Sequence, residues 1–387
     1  VVGGQEVKKP PYRIPTMVEI AALPKNGLKV ASTFSGCGGS SLGYKMAGFD
    51  VVYANEFIPA AQDSYAANFP STFLDKRDIR EVKPEDILKA TGLRKGELDI
   101  LDGSPPCAAF STAGSREKGW GEIRKYSDTK QRVDDLFFEY VRILRGVQPK
   151  VFVAENVAGL VIGKAKGYFL EILSELRAAG YKVTAKVLDA KWLGVPQSRN
   201  RLIFVGVRED LKVEPAHPEP FKYQYSIHDA FDGKLLVEHD TSGTFSQGVA
   251  ITISGNAAAF HFKVQDREAP SLKGTAIGVE AKKLGKGKQS GKYFNLIRPS
   301  SEKPSPAILS SHGGRGVAGV LHPSGVRKFT IEELRIICSF PADFVLTGSY
   351  EKQWERLGRA VPPLMMRAVA STLRDQVFPE IAKRCAE

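Results

Sequence analysis

Cysteine is scarce in this chain: 387 residues hold only Cys37, Cys107, Cys338 and Cys385, all far apart. There is no Cys-x-x-Cys pair, which argues against a structural zinc site and against a disulfide scaffold, so no metal is expected. Four unpaired thiols fit a reducing, cytoplasmic setting. No run of ~18 apolar residues occurs, so a membrane-spanning helix is not expected. The first residues lack the charged-then-apolar pattern of a secretory signal. Acidic charge is also in deficit. Lys and Arg number 55 against 43 Asp and Glu, a formal net charge of +12. That excess favours a polyanionic partner, most simply nucleic acid. Hydrophobic residues make up 42%, an ordinary share that excludes extensive disorder. The length allows one large domain or two unequal ones.

Residues 1–26 are Pro-punctuated and read as an irregular lead-in. Regular alternation starts at Leu28. The spacing predicts strands at Leu28–Thr33, Val51–Ala54, Leu98–Asp102, Val151–Glu155, Lys182–Asp189 and Arg201–Val207. It predicts helices at Ser40–Ala47, Ile58–Asn68, Asp134–Arg145 and Gly167–Ala179. A repeated β-α order implies an α/β fold with a mostly parallel sheet and helices on both faces. Ligands gather at the carboxyl ends of such strands. From about Arg208 the texture changes to Gly, Ser, Pro and Lys without helical period, so residues 209–326 read as a smaller, loop-rich, β-leaning domain. Within it, Lys282–Lys292 holds five lysines and no acid. It is either a solvated loop or a phosphate-contacting one. Helix-like segments return at Thr330–Cys338 and Pro362–Arg374.

Four places carry chemistry. The loop Phe34-Ser-Gly-Cys-Gly-Gly39 follows the first strand, and glycines there allow close backbone approach to a ligand. Its spacing is not the dinucleotide fingerprint, whose third glycine would fall at Ser41, so a dehydrogenase is disfavoured. The acids Glu56 and Asp78, each following a strand-like segment, suit an adenosine-containing cofactor. Gly103-Ser-Pro-Pro-Cys107 ends another strand in a stiff turn, where the cysteine is either a buried turn residue or a thiolate nucleophile. The polar stretch Ser111–Val133 beside it reads as a mobile lid. Glu155 is either a helix cap or a proton donor to the substrate. Arg199 and Arg201, two apart, would share one strand face and could hold a carbonyl oxygen or phosphate.

Together these motifs closely resemble the DNA cytosine-5 methyltransferases, prokaryotic or phage type. The resemblance rests on Phe34-Ser-Gly-Cys-Gly-Gly39, Asn55-Glu56-Phe57, Asp78-Ile79, Gly103-Ser-Pro-Pro-Cys107, Glu155-Asn156-Val157 and Gln197-Ser-Arg-Asn-Arg201. Arg327-Lys-Phe-Thr with Ser339-Phe-Pro-Ala-Asp343, and Gly358-Arg-Ala-Val-Pro-Pro363, look like the last two family motifs. It covers most of residues 28–375 outside the variable region 209–310. It implies a Rossmann-like catalytic domain (27–208), a target-recognition domain (209–326) and a segment (327–387) returning to the catalytic domain. It also implies S-adenosylmethionine as cofactor and double-stranded DNA as substrate. The cofactor would meet Phe34 (stacking), Gly36, Gly38 and Gly39 (backbone), Glu56 (ribose), Phe57 (adenine), and Asp78 with Ile79 (adenine edge). Pro106 and Leu136 would complete its pocket. A monomer is expected, in bacterial or phage-infected host cytoplasm, with a restriction enzyme of the same system as a candidate partner.

The residue chemistry fits that assignment. Cytosine C5 is a poor nucleophile until a thiolate adds at C6, a role for Cys107. Glu155 suits N3, and Arg201, with Arg199 nearby, suits the charge developing on O2. The target base must leave the duplex for this. One position departs from the family pattern Gly-Asn-(Ala/Ser)-Val, because Arg359 replaces the asparagine. An arginine close to a sulfonium needs an anion nearby. Arg359 either turns to the cofactor's amino-acid carboxylate, to DNA phosphate or to solvent, or it pairs with an extra carboxylate on the transferred group. In the second case the donor is carboxy-S-adenosylmethionine and the product is 5-carboxymethylcytosine. Less favoured are a catalytically altered DNA-binding homologue and an RNA cytosine methyltransferase.

Overall fold

A computed structural model of the chain describes residues 9–106, 124–126, 129–131, 135–162, 165–231, 269, 272, 274–314, 316–325 and 327–386. Cys107, most of the expected lid at 111–133 and the middle of the expected recognition domain lie outside the described residues. The strands are β1 (Lys29–Thr33), β2 (Asp50–Asn55), β3 (Phe73–Asp75), β4 (Ile100–Gly103), β5 (Arg124–Tyr126), β6 (Thr129–Gln131), β7 (Val151–Val157), β8 (Tyr181–Asp189), β9 (Asn200–Arg208), β10 (Lys288–Gln289) and β11 (Ile297–Arg298). The helices are α1 (Met17–Ala21), α2 (Gly39–Met46), α3 (Pro59–Asn68), α4 (Pro84–Thr91), α5 (Leu136–Val147), α6 (Ala165–Ala178), α7 (Ile227–Ala230), α8 (Ala276–Ala281), α9 (Ile331–Ile337), α10 (Tyr350–Arg359), α11 (Pro363–Thr372) and α12 (Phe378–Ala386).

Seven strands form one sheet in the order β3-β2-β1-β4-β7-β9-β8. All run parallel except β9, which is antiparallel to both β7 and β8. The expected mostly parallel α/β sheet is therefore present. The order reverses between β1 and β4, and such a reversal opens a crevice at the strands' carboxyl ends. The reversed β9 matters for function, because its first residues sit beside the last residues of β7. In the ladder Val157 faces Arg201 and Glu155 faces Ile203.

Hydrophobic cores lie on both sides of the sheet. One combines α4, α5 and α6 with sheet residues such as Tyr53, Leu101 and Phe204. The spacing of Leu136, Phe137, Tyr140, Val141, Leu144 and Val147 on α5 explains its place there, since all six are buried on one helical stripe. The other core packs α2, α9, α10 and α11 against Val30, Val153 and Val205. The C-terminal helices thus return to the sheet. α9 starts at a capping box of Thr330 and Glu333, and Arg327 grips Glu333 with two bonds of 2.7 Å.

Two expectations need adjustment. The lead-in is more regular than its prolines imply, because Thr16 and Glu19 form a capping box that starts α1. Tyr12 also donates to the Ile336 carbonyl, tying this segment to α9. α10 was not indicated by composition, yet it is a full helix with Tyr350, Trp354 and Leu357 buried. A third, small core of Leu272, Ile277, Ala281, Leu284, Leu296 and Leu321 supports the β10–β11 hairpin.

Candidate active site

The carboxyl edge of the sheet opens into a cavity of about 670 Å³. Its wall includes Phe34 and Gly36 after β1, Glu56 and Phe57 after β2, Asp78 and Ile79 after β3, and Pro106 after β4. Leu136, Glu155, Arg199, Arg201 and Arg359 complete the set of expected residues at the wall, together with Gly39. Gly38 is the described exception. It has φ +97°, and a Cβ there would lie 2.2 Å from the Phe69 ring, so a glycine is required by conformation and packing. A Cβ on Gly39 would lie 2.3 Å from the Val361 carbonyl, so this glycine serves the close approach of the C-terminal segment. Phe34 itself has a left-handed backbone (φ 52°), a cost tolerated where the surroundings fix it.

Glu56 is 7% exposed and pins the glycine loop. One carboxylate oxygen accepts from the Gly36 amide and the other from Ile58, each at 2.7 Å. The carboxylate has about four acceptor sites, so these amides do not exhaust its capacity to accept from a hydroxyl in the cavity. Burial pushes its pKa up, against the lowering effect of these amides and of Arg356. Asp78 is held by Arg80, whose Nη1 lies 3.0 Å from Oδ2, and Arg80 also reaches Asp135 at 2.7 Å. Asn156 donates to the Pro105 carbonyl at 3.2 Å, fixing the proline turn that precedes Cys107.

The two arginines both line the cavity but have different partners. Arg201 places Nε 2.6 Å from Glu155 Oε1, both side chains being largely buried. Arg199 lies just before β9 and donates to the carbonyls of Ile308 (3.0 Å) and Gly358 (2.7 Å). Burial first, then the nearby Arg201, pushes the Arg199 pKa down to about 9. Arg199 therefore ties the wall segments around 308 and 358 together, and it reaches the cavity from just before the strand rather than from the strand face that carries Arg201.

Arg359 ends α10 at the cavity wall, and the anion it needs belongs to the chain. Its Nε donates to Glu355 Oε1 at 2.9 Å, one helical turn back. Arg356 shares that carboxylate at 3.1 Å. Arg356 lines the cavity at 3% exposure and was not anticipated. The available signal was its place three residues before Arg359 on one helical face.

Comparisons with known proteins give the family. The family described as C-5 cytosine-specific DNA methylase matches residues 28–375. The chain belongs to this family. It is therefore a DNA cytosine-5 methyltransferase, a transferase, and the family implies S-adenosylmethionine as methyl donor. The type II methyltransferase M.FnuDI of Fusobacterium nucleatum is 36% identical over 371 residues, covering 90% of this chain and 94% of that protein. M1.HphI of Haemophilus parahaemolyticus is 31% identical over 345 residues, covering 88% and 85%. Among solved structures, a DNA modification methyltransferase encoded within an E. coli prophage superposes with TM-score 0.69 at 22% identity, covering 91% of this chain and all of that one. A Spodoptera frugiperda DNMT2 mutant gives TM-score 0.60 at 19% identity, with 91% of this chain covered and all of that one. At these identities the two structures speak for the fold.

Proposed function

We propose that this methyltransferase modifies C5 of a cytosine flipped out of duplex DNA, with Cys107 as nucleophile. The observation that carries this reading is the Glu155–Arg201 ion pair in the cavity wall, next to the turn that leads to Cys107. The Cys107 thiolate adds to C6, and the C5–C6 π pair shifts to C5. Arg201 steadies the negative charge that grows on O2, and Glu155 holds the N3 edge. Bound S-adenosylmethionine supplies an electrophilic methyl group on a sulfonium. Once C5 has gained the methyl group, loss of the C5 proton and expulsion of the thiolate restore the C5–C6 double bond. Phe34, Glu56, Phe57, Asp78, Ile79, Pro106 and Leu136 would hold the donor, Glu56 through its spare lone pairs.

Residues 209–326 act as the reader of the DNA. Lys282, Lys283, Lys286, Lys288 and Lys292 are all exposed, and Phe294 projects between the hairpin strands at 79% exposure. A basic surface with a protruding ring suits phosphate contact and contact with bases. The protein works as a monomer on this reading. Cys107→Ala should abolish transfer of labelled methyl groups to DNA, and an active variant would refute the assignment.

One observation favours a second donor. Arg359, which stands where the family pattern has an asparagine, lines the cavity beside Arg356, so two guanidinia face this part of the wall. An arginine at that place suits carboxy-S-adenosylmethionine, with Arg359 pairing the carboxylate of the transferred group and 5-carboxymethylcytosine as product. Nucleoside mass spectrometry of DNA treated with each donor decides it. If only 5-methylcytosine forms with either donor, the second reading fails.

A further inference from the structure

The chemistry above leaves one buried charge without a task. Asp102 lies near the end of β4, shortly before Cys107, and is 1% exposed. Its Oδ2 accepts from Ser32 on β1 and from Ser40 on α2, each at 2.8 Å. The Tyr44 hydroxyl faces Oδ1 at 3.4 Å, and the Asp102 carbonyl accepts from Thr33 at 3.1 Å. Ser32 and Ser40 stand on the two flanks of the loop from Phe34 to Gly38. A single carboxylate oxygen therefore clamps both ends of that loop. Ser40 also lines the cavity, so Asp102 stands one side chain behind its wall.

We propose that Asp102 is a positioning residue whose ionised form clamps the glycine loop and favours a cationic methyl donor over its uncharged thioether product. The proposal rests on the donor reading above. Hydroxyls, and no cation among the described residues, hold this carboxylate, so a cation bound in the cavity beside Ser40 would be an opposite charge that it can attract. Attraction between opposite charges is strong where water is excluded. The other titratable groups facing Asp102 are Tyr44, Tyr65 and Tyr140, all pushed up by burial and so neutral, and Glu155, whose charge opposes ionisation of Asp102. Burial pushes Asp102 up to about 7, with the hydroxyl bonds pulling the other way. A cation in the cavity favours the ionised form, so by reciprocity its affinity rises as pH rises through that region. Glu56 titrates on the same cavity, which is why the test compares variants.

The measurement is calorimetric binding of S-adenosylmethionine and S-adenosylhomocysteine to the full chain at about pH 6 and about pH 8. For the unmodified protein, the preference for the sulfonium ligand should increase several-fold toward the higher pH. Asp102→Asn should flatten that increase and weaken sulfonium binding ~10-fold at the higher pH, with thioether binding nearly unchanged. Ser40→Ala keeps the carboxylate but removes one donor, so it should move the pH midpoint upward. An Asp102→Asn protein that keeps the increase, or that loses both ligands equally, overturns the proposal. An unmodified protein whose preference is independent of pH overturns it too, while the donor reading stands. An unmodified protein that binds neither ligand overturns both.

Discussion

One wall of the cavity comes from residues 34–79, three successive strand ends, whereas a second draws on residues 155–159, 162, 198–201, 307, 309–311, 356 and 358–361. The first wall is held mainly by local hydrogen bonds. Glu56 accepts from two amides, and Asn55 donates to the carbonyls of Asp75 and Arg77 at 3.2 and 2.9 Å. The second wall is held by arginines. Arg201 meets Glu155, Arg199 bridges two distant carbonyls, and Arg356 and Arg359 share Glu355. A wall built from adjacent strand ends is held largely by hydrogen bonds between them, with Asp102 clamping the glycine loop from β4. A wall assembled from segments far apart in sequence uses long, multi-donor guanidinia to reach across. The two walls should therefore fail differently when a single group is changed.

The largest effect should follow a change to the second wall. Glu155→Gln removes the charge that pairs with a largely buried Arg201, and unpairing a buried ion costs about 3–5 kcal/mol. Turnover on DNA should fall at least ~100-fold, with the donor KM nearly unchanged. If the donor KM rises as much as turnover falls, the two walls are not separate in function. Glu56→Gln should do the reverse. An amide nitrogen would face either the Gly36 or the Ile58 N–H, so a charge-assisted bond worth roughly 1.5–3 kcal/mol is lost. Donor KM should rise ~10-fold or more, and turnover at saturating donor should hold. A variant with normal KM and low turnover would break the comparison.

How much of this was legible in sequence follows the same division. The first wall could be read directly, since Phe34, Glu56 and Asp78 each follow a strand-like run, and position on a parallel sheet follows from order along the chain. α5 could be read from its apolar spacing. The second wall could not. The pattern of β9 is the same whether the strand runs up or down, because burial on both faces leaves no directional mark. Only its reversal brings Arg201 to Glu155, since a parallel β9 would begin at the opposite edge. Arg199 looked like the twin of Arg201 two residues on, but the strand starts after it and its partners lie more than a hundred residues away. In α10 the apolar spacing of Tyr350, Trp354 and Leu357 exists, but charged residues crowd the segment and hide it. The buried clamp of Asp102 carries no local signal either, because its hydroxyl partners lie far from it in sequence.

A smaller effect tests what the second wall does with the charge of Arg356 and Arg359. Glu355→Gln leaves Arg356 and Arg359 without their shared carboxylate, so the wall gains one unit of positive charge. Binding of S-adenosylmethionine, a sulfonium, should weaken by a factor of about 3–10, the scale of a partly screened charge contact. Binding of a donor with an added carboxylate should strengthen. If both donors weaken equally, Glu355 is only packing α10, and the wall's charge plays no part in donor choice.

The smallest effect lies outside both walls, in the β10–β11 hairpin. Lys288 is exposed on β10, and if it contacts one phosphate, Lys288→Gln removes one released counterion. The logarithmic salt dependence of DNA affinity should then lose about 0.9 from its slope. Donor KM and saturated turnover should not change, because nothing in the cavity is altered. Competition titrations over a range of salt concentrations would measure the slope. An unchanged slope would remove Lys288 from the DNA surface, and a changed donor KM would show that the hairpin reaches the cavity walls after all.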